Sequence, residues 1–334
     1  MSLKIFKKKI YLFILLVNLI LSKNVYADKN FSNFEEWLEF YKNYAVEKGV
    51  SKETIEIAFK DVKFLDNVIK YDRKQPEFFE DTKTYVNKRA NNTRAINAQK
   101  LLKENRELFL EIENKFEVEK EILLSLWGIE TNFGKYVGKM DIISSLATLS
   151  YDKRRSAFFS SQLLTLLKLI DKKLLDPKKL YGSWAGAYGN FQFMPSTINK
   201  YAIDYDNNNK IELKKSLHDS LASAANYINS IGWKKNTPCF YEVKLTKKIN
   251  KKYFNFSARK LHHKLKTSLW KKKGILINDD VDLNDNLKAA LILPDGDDSS
   301  PAYLVYDNYE KILKWNRSLR FGISVCTLAK MIQT

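Results

Sequence analysis

The feature that most constrains this chain is an apolar helical run ending on one carboxylate between two glycines. Val118, Ile122, Leu126 and Ile129 recur at helical spacing, and Leu123 and Leu124 widen the stripe until the predicted helix is largely buried. Its end reads Trp127-Gly128-Ile129-Glu130-Thr131-Asn132-Phe133-Gly134. Glu130 lies one turn beyond Leu126 and Trp127, so apolar surroundings should disfavour its charged form and raise its pKa, as a general acid requires. A surface glutamate at a helix end is the plainer alternative. Against it, a negative charge there opposes the helix macrodipole.

Glycine is scarce, 11 in 334 residues against an average of ~7%. Yet Gly128, Gly134, Gly138, Gly182, Gly186 and Gly189 share one window, where the backbone must bend or approach something closely. From Gly182 to Ser196, small residues alternate with aromatics and amides, among them Ser183, Trp184, Tyr188 and Gln192. That pattern suits a groove floor that stacks on sugar rings, with a tight helix crossing as the alternative.

Residues 1–27 read as an export signal. Lys4, Lys7, Lys8 and Lys9 precede an apolar run from Ile10 to Leu21, and Val25-Tyr26-Ala27 supplies a cleavage site. The run is short for a membrane span, and no cysteine lies near the cut, so a soluble periplasmic protein without a lipid anchor is expected. Cys239 and Cys326 are the two cysteines; they could form one disulfide or stay as buried thiols. Removing the five lysines of residues 1–27 from the net charge of +18 leaves +13. An exported chain with scattered lysines fits an anionic wall polymer better than nucleic acid.

Between Phe31 and Leu126 the pattern is helical. Phe34, Trp37, Leu38 and Tyr41 share a face, Ser51 starts a second helix, and a long polar helix is predicted over 82–113. Another helix covers 156–172. Strands are predicted at 239–245, 288–293 and 302–306, with a helix at 257–272, and residues 307–332 return to helix. The expectation is a mainly α chain with a small β-containing lobe: a helical core over 28–235 and 307–334, and a lobe over 236–306.

The three histidines, His218, His262 and His263, sit near no nucleophile-elbow serine, and HExxH, paired CxxC and GxxxxGK[ST] patterns are missing. Serine or cysteine hydrolysis, zinc and nucleotide chemistry therefore lack support. Acid–base work by one carboxylate remains.

Together, Gly128 to Gly134, Leu146-Ala147-Thr148-Leu149-Ser150, Arg154-Arg155, Gly182 to Ala187 and Gln192-Phe193-Met194-Pro195-Ser196 resemble the lytic murein transglycosylases of the membrane-bound-B type. Gln75-Pro76-Glu77-Phe78 and Trp315-Asn316-Arg317-Ser318 extend the likeness over nearly all of the mature chain. The resemblance implies a lysozyme-like catalytic core with Glu130 as sole acid/base. Glu130 would protonate the bond between N-acetylmuramic acid and N-acetylglucosamine, then take the proton of the muramyl C6 hydroxyl as a 1,6-anhydro ring closes. It further implies substrate contacts from Ser183, Gln192, Tyr188 and Asn316, carboxylate contacts from Arg154 and Arg155, and stacking by Trp315 and Phe321 where the family often has tyrosine. The expected partners are peptidoglycan glycan strands and cell-wall synthesis or division proteins, with no nucleic acid, and a monomer. No cofactor is required by this chemistry.

The loop from Asp204 to Glu212 matches an EF-hand-like calcium loop of some relatives, with Asp204, Asp206, Asn208 and Glu212 as oxygen donors. Asn209 replaces the usual glycine and Lys215 the bidentate acid, so a structural Ca²⁺ stands beside a metal-free Asx-rich turn. Two other readings of the groove are a non-catalytic glycan-binding scaffold and a muramidase using Asp141 or Asp152 to activate water.

Overall fold

The computed structural model describes residues 30–74, 80–277, 284–297 and 300–333. The expected leader and the Gln75–Phe78 segment lie outside them. Helix α1 (Phe34–Glu47) buries Phe34, Trp37, Tyr41 and Ala45 along one face, and the Asn33 side chain accepts from the Glu36 N–H at 2.9 Å to cap it. Ser51 caps α2 (Lys52–Phe59) in the same way, and α3 (Asp66–Arg73) follows.

The polar stretch expected as one helix over 82–113 is three: α4 (Thr82–Arg89), α5 (Asn92–Glu104) and α6 (Arg106–Phe116). Asn91 accepts the Arg94 N–H at 3.0 Å, restarting the helix, and Asn105 closes α5 and opens α6. The breaks turn Ala95 and Ala98, then Leu108, Phe109 and Ile112, toward one core. At its centre is α7 (Lys120–Thr131), packed on α5 and α6. Then come α8 (Ile142–Tyr151), α9 (Ser156–Asp171), α10 (Pro195–Tyr201) and α11 (Leu217–Ser230). Two-residue strands β1 (Met140–Asp141) and β2 (Tyr181–Gly182) pair antiparallel.

The lobe's six-stranded sheet runs β4-β7-β8-β3-β6, with β5 on β7. Its members are β3 (Phe240–Leu245), β4 (Phe254–Asn255), β5 (Leu265–Lys266), β6 (Ile275–Ile277), β7 (Lys288–Ile292) and β8 (Ala302–Val305). All pairings are antiparallel except β4 with β7. Of the helix expected over 257–272 only α12 (Thr267–Lys272) forms, because the Asn255 side chain holds the loop before it, accepting from His262 N–H at 2.7 Å and donating to Leu291 O at 2.9 Å. One sheet face (Ala290, Ile292, Tyr303, Val305) joins the main core, while the other closes over Trp270. Cys239 and Cys326 form a disulfide, Cα atoms 6.2 Å apart, tying the start of β3 to the last helix.

The C-terminal helical region is likewise split, into α13 (Asp307–Trp315) and α14 (Leu319–Gln333). α14 packs on α7, and Trp315, just before the break, reaches the end of α7. Among the described residues no helix is long and apolar enough to cross a membrane.

Candidate active site

Helix α7 ends in three consecutive left-handed residues, Asn132 (φ 49°), Phe133 (φ 59°) and Gly134 (φ 82°). Such a turn needs outside support, and Asn190 provides it. Thr131 Oγ1 donates to Asn190 O at 2.8 Å and accepts the Gly134 N–H at 3.0 Å, while Trp127 Nε1 donates to Asn190 Oδ1 at 3.3 Å. A Cβ on Gly134 would come within 2.7 Å of Asn190 Oδ1, and one on Gly138 within 2.0 Å of Gly182 O. These two glycines are therefore required by chains crossing at close range.

The turn leaves Glu130 at the rim, partly exposed, with its carboxyl hemmed in by protein. Burial pushes its pKa up to about 7, and a hydrogen bond from Trp315 Nε1 to Oε1 at 2.9 Å pulls the other way. Charged neighbours do not enter that balance. A carboxyl poised near neutrality, half protonated and half ionised, can both give and take a proton. Asp141 and Asp152 are engaged elsewhere: Asp141 caps α8 through the Ser144 N–H at 2.6 Å, and Asp152 pairs with Arg73 at 2.8 Å.

The residues expected to line the groove divide into two groups by their own partners. Ser183 Oγ accepts from the Ala187 N–H at 3.0 Å, which leaves its own proton to donate. Gln192, itself left-handed (φ 50°), donates through Nε2 to Gly189 O at 2.9 Å and Val137 O at 3.2 Å, so its amide oxygen remains to accept. Asn316 is half-buried, and its side chain has no protein partner among the described residues. Tyr188 is half-buried; burial first, then Glu212 and Asp176, push its phenol pKa up and keep it neutral.

The second group has other partners. Phe321 is buried in the main core and presents no ring face to a ligand. Its place in the sequence suggested stacking, but it lies on the side of α14 that packs inward. Arg154 and Arg155 both bind Asp72: Arg154 Nε donates to Oδ2 at 2.7 Å, Arg155 Nη2 donates to Oδ1, and Arg73 Nη1 adds a third bond at 2.6 Å. Burial raises the Asp72 pKa, and the Arg154 and Arg155 hydrogen bonds outweigh it, holding the carboxyl below its ordinary range.

In the acidic loop, Asp204, Asp206 and Asp219 bring carboxylate oxygens within 4.8 Å of one another. Asn209 adopts the left-handed conformation (φ 64°) usually given to glycine, and Asn208 Oδ1 accepts the Lys210 N–H at 2.9 Å. Glu212 stands outside that cluster of carboxylates; its N–H donates to Asp219 Oδ2 at 2.8 Å. No ion pair among the described residues involves the three aspartates, so a hard cation held by oxygen fits the donor set.

A family model for the transglycosylase SLT domain matches residues 33–330. The chain belongs to this family. Over 119 residues it is 41% identical to membrane-bound lytic murein transglycosylase B of Escherichia coli K12, a match covering 35% of this chain and about a third (33%) of that protein's length. The structure of SltB3 from Pseudomonas aeruginosa, in complex with NAG-NAM-pentapeptide, superposes with TM-score 0.82 at 31% identity over 91% of this chain and 80% of that one. Slt35 of E. coli, in complex with calcium, gives 0.75 at 25% identity over 89% and 92%. The mainly helical, lysozyme-like class expected from the sequence is thus the family's own fold. What sequence reasoning missed within it was Asp72, Asn190, Asp219 and the indole donor on Glu130; Asp72, Asn190 and Trp315 reach partners 82, 59 and 185 residues away.

Proposed function

We propose that this chain is a peptidoglycan lytic transglycosylase acting in the periplasm, with Glu130 as its single acid and base. The observation that carries the reading is a lone carboxyl raised to about 7 by burial, bound by one neutral donor. Protonated Glu130 gives its proton to the glycosidic oxygen between N-acetylmuramic acid and N-acetylglucosamine as the C1–O bond breaks. The N-acetyl carbonyl oxygen bonds to C1 as the leaving oxygen departs, and that bond breaks again when O6 takes its place. The carboxylate then takes the C6 hydroxyl proton as O6 bonds to C1, closing the 1,6-anhydro ring. The substrate supplies both nucleophiles, so a second carboxylate is unnecessary. Ser183, Gln192, Tyr188 and Asn316 line the groove as polar contacts, and Trp315 adds an aromatic face. Arg154 and Arg155, half-exposed beside Asp72, shape the groove edge rather than offer free cations to the substrate. Family membership and the muropeptide complex of SltB3 support this substrate class.

Digesting purified peptidoglycan with the mature protein and with Glu130→Gln, and reading the products by mass spectrometry, tests the reaction. Anhydromuramyl ends that vanish in the variant are expected; reducing ends would mean hydrolysis, and binding without products would mean a scaffold.

We further propose a structural Ca²⁺ held by Asp204, Asp206, Asn208 and Asp219. When bound it would neutralise three clustered carboxylates and brace the loop before α11. A rise in melting temperature of a few degrees at millimolar calcium is expected, lost in Asp219→Asn. No shift in the wild-type protein would sink the site.

A further inference from the structure

Trp315 does more than offer a stacking face. Its ring lies flat on Tyr227 (centroids 5.1 Å apart, 23° between planes), is held edge-on by Phe193 at 5.3 Å and Phe191 at 6.1 Å, and Tyr227 is in turn stacked on Tyr201 at 4.5 Å. Tyr227 OH donates to Lys314 O at 3.1 Å, fixing that stack to the end of α13. An indole clamped in this way cannot swing off, and its N–H can only donate. The oxygen it reaches, Glu130 Oε1, must therefore serve as acceptor whether the carboxyl is ionised or protonated.

We propose that Trp315 is a positioning residue whose indole N–H, bound to Oε1, confines the transferable proton of Glu130 to Oε2. One oxygen then makes the whole round trip. The proton leaves Oε2 for the glycosidic oxygen while the C1–O electron pair departs with N-acetylglucosamine, and Oε2 recovers a proton from the C6 hydroxyl as the O6–C1 bond forms. This rests on the transglycosylase reading above. A tyrosine hydroxyl at this position could accept as well as donate and would leave the proton free to sit on either oxygen.

No charged group is among the causes of the Glu130 shift, and several charges on the helices packed near it have partners of their own. Arg94 of α5 donates to the Lys88 and Arg89 carbonyls, Glu113 and Glu121 pair with Lys120, and Arg320 of α14 pairs with Asp295. Burial first, then Tyr201, pushes the phenol of Tyr227, which stacks on the indole, up from its ordinary value, so it stays neutral near pH 7.

The test is ¹⁵N-tryptophan NMR of the mature protein, whose six tryptophans give six indole resonances. One indole signal should move with a midpoint near pH 7, be missing in Trp315→Phe and stand still in Glu130→Gln. In Trp315→Phe, checked for an unchanged fold by melting, the basic limb of the kcat/KM profile should move up by about one pH unit and kcat should fall about tenfold. If no indole titrates, or the limb stays where it was in a folded variant, the assignment of the proton is wrong. An indole that titrates in a protein that cleaves no peptidoglycan would instead overturn the reaction, and the round trip with it. Should Trp315→Phe fail to fold, the comparison of wild type with Glu130→Gln decides alone.

Discussion

Two carboxylates in this protein are removed from water and have opposite fates. Asp72 is 2% exposed and is met by Arg73, Arg154 and Arg155; Glu130 is met by one indole N–H. Burial raises the pKa of both. At Asp72 the arginine hydrogen bonds win and the group stays ionised, whereas at Glu130 burial wins and the carboxyl sits at about 7. Burial alone therefore does not keep a carboxyl protonated toward neutrality; burial without a compensating cation does. Asp72 pins α3 to the turn between α8 and α9, and Glu130 remains free to exchange its proton.

The contrast is broken most strongly by exchanging each acid for its amide. If one group performs both proton transfers, as proposed, Glu130→Gln should lower the cleavage rate at least about 10³-fold, and it should leave the fold intact. Asp72→Asn should do the reverse. Leaving three guanidinium groups around a neutral amide costs about 3 kcal/mol, toward the low end for a broken buried pair because the arginines can rehydrate. Calorimetry should show a melting temperature lower by roughly 5–10 °C, with cleavage at a permissive temperature far less affected than in Glu130→Gln. If Asp72→Asn abolished cleavage while melting normally, Arg154 and Arg155 would be substrate ligands after all.

The same contrast explains what could be read from the chain beforehand. Glu130 was legible because its signals are local: the apolar stripe of α7 runs straight into it, and the glycines on either side mark the turn. Asp72 was not, because two of its three partners lie 82 and 83 residues further along, and arginines next to a glycine-rich groove look the same whether they face a ligand or a buried acid. Asp219 escaped for a related reason, standing beyond the loop whose spacing was being matched. Phe321 was misplaced because a motif position does not say which side of a helix packs inward. Helix positions were read well where apolar spacing or a cap was plain, as along Phe34, Trp37 and Tyr41 and at Ser51. They were read poorly across 82–113, where Asn91 and Asn105 interrupt a stretch too polar for its periodicity to show the breaks.

The smallest effect is also the most diagnostic, because it separates the two acids by sign. A group whose folded pKa lies above its unfolded value binds more protons in the native state between the two, so stability falls as pH rises through that window. For Glu130 the window runs from its ordinary value of 4.5 to about 7. Above it, wild-type protein carries a penalty on the order of 2 kcal/mol, allowing for the partial exposure of the group. Asp72 is depressed, so its contribution is full above its ordinary value of 3.8 and is lost only as pH falls through the lower folded pKa. Glu130→Gln should therefore be more stable than wild type at pH 8 and equal to it near pH 4, whereas the deficit of Asp72→Asn should be constant from pH 5 to 8 and shrink only in acid. Denaturant melts of the three proteins at pH 4, 6 and 8 measure this directly. A Glu130→Gln advantage that did not vary with pH would show that the carboxyl is not held protonated by burial, and with that the distinction between the two acids would fail.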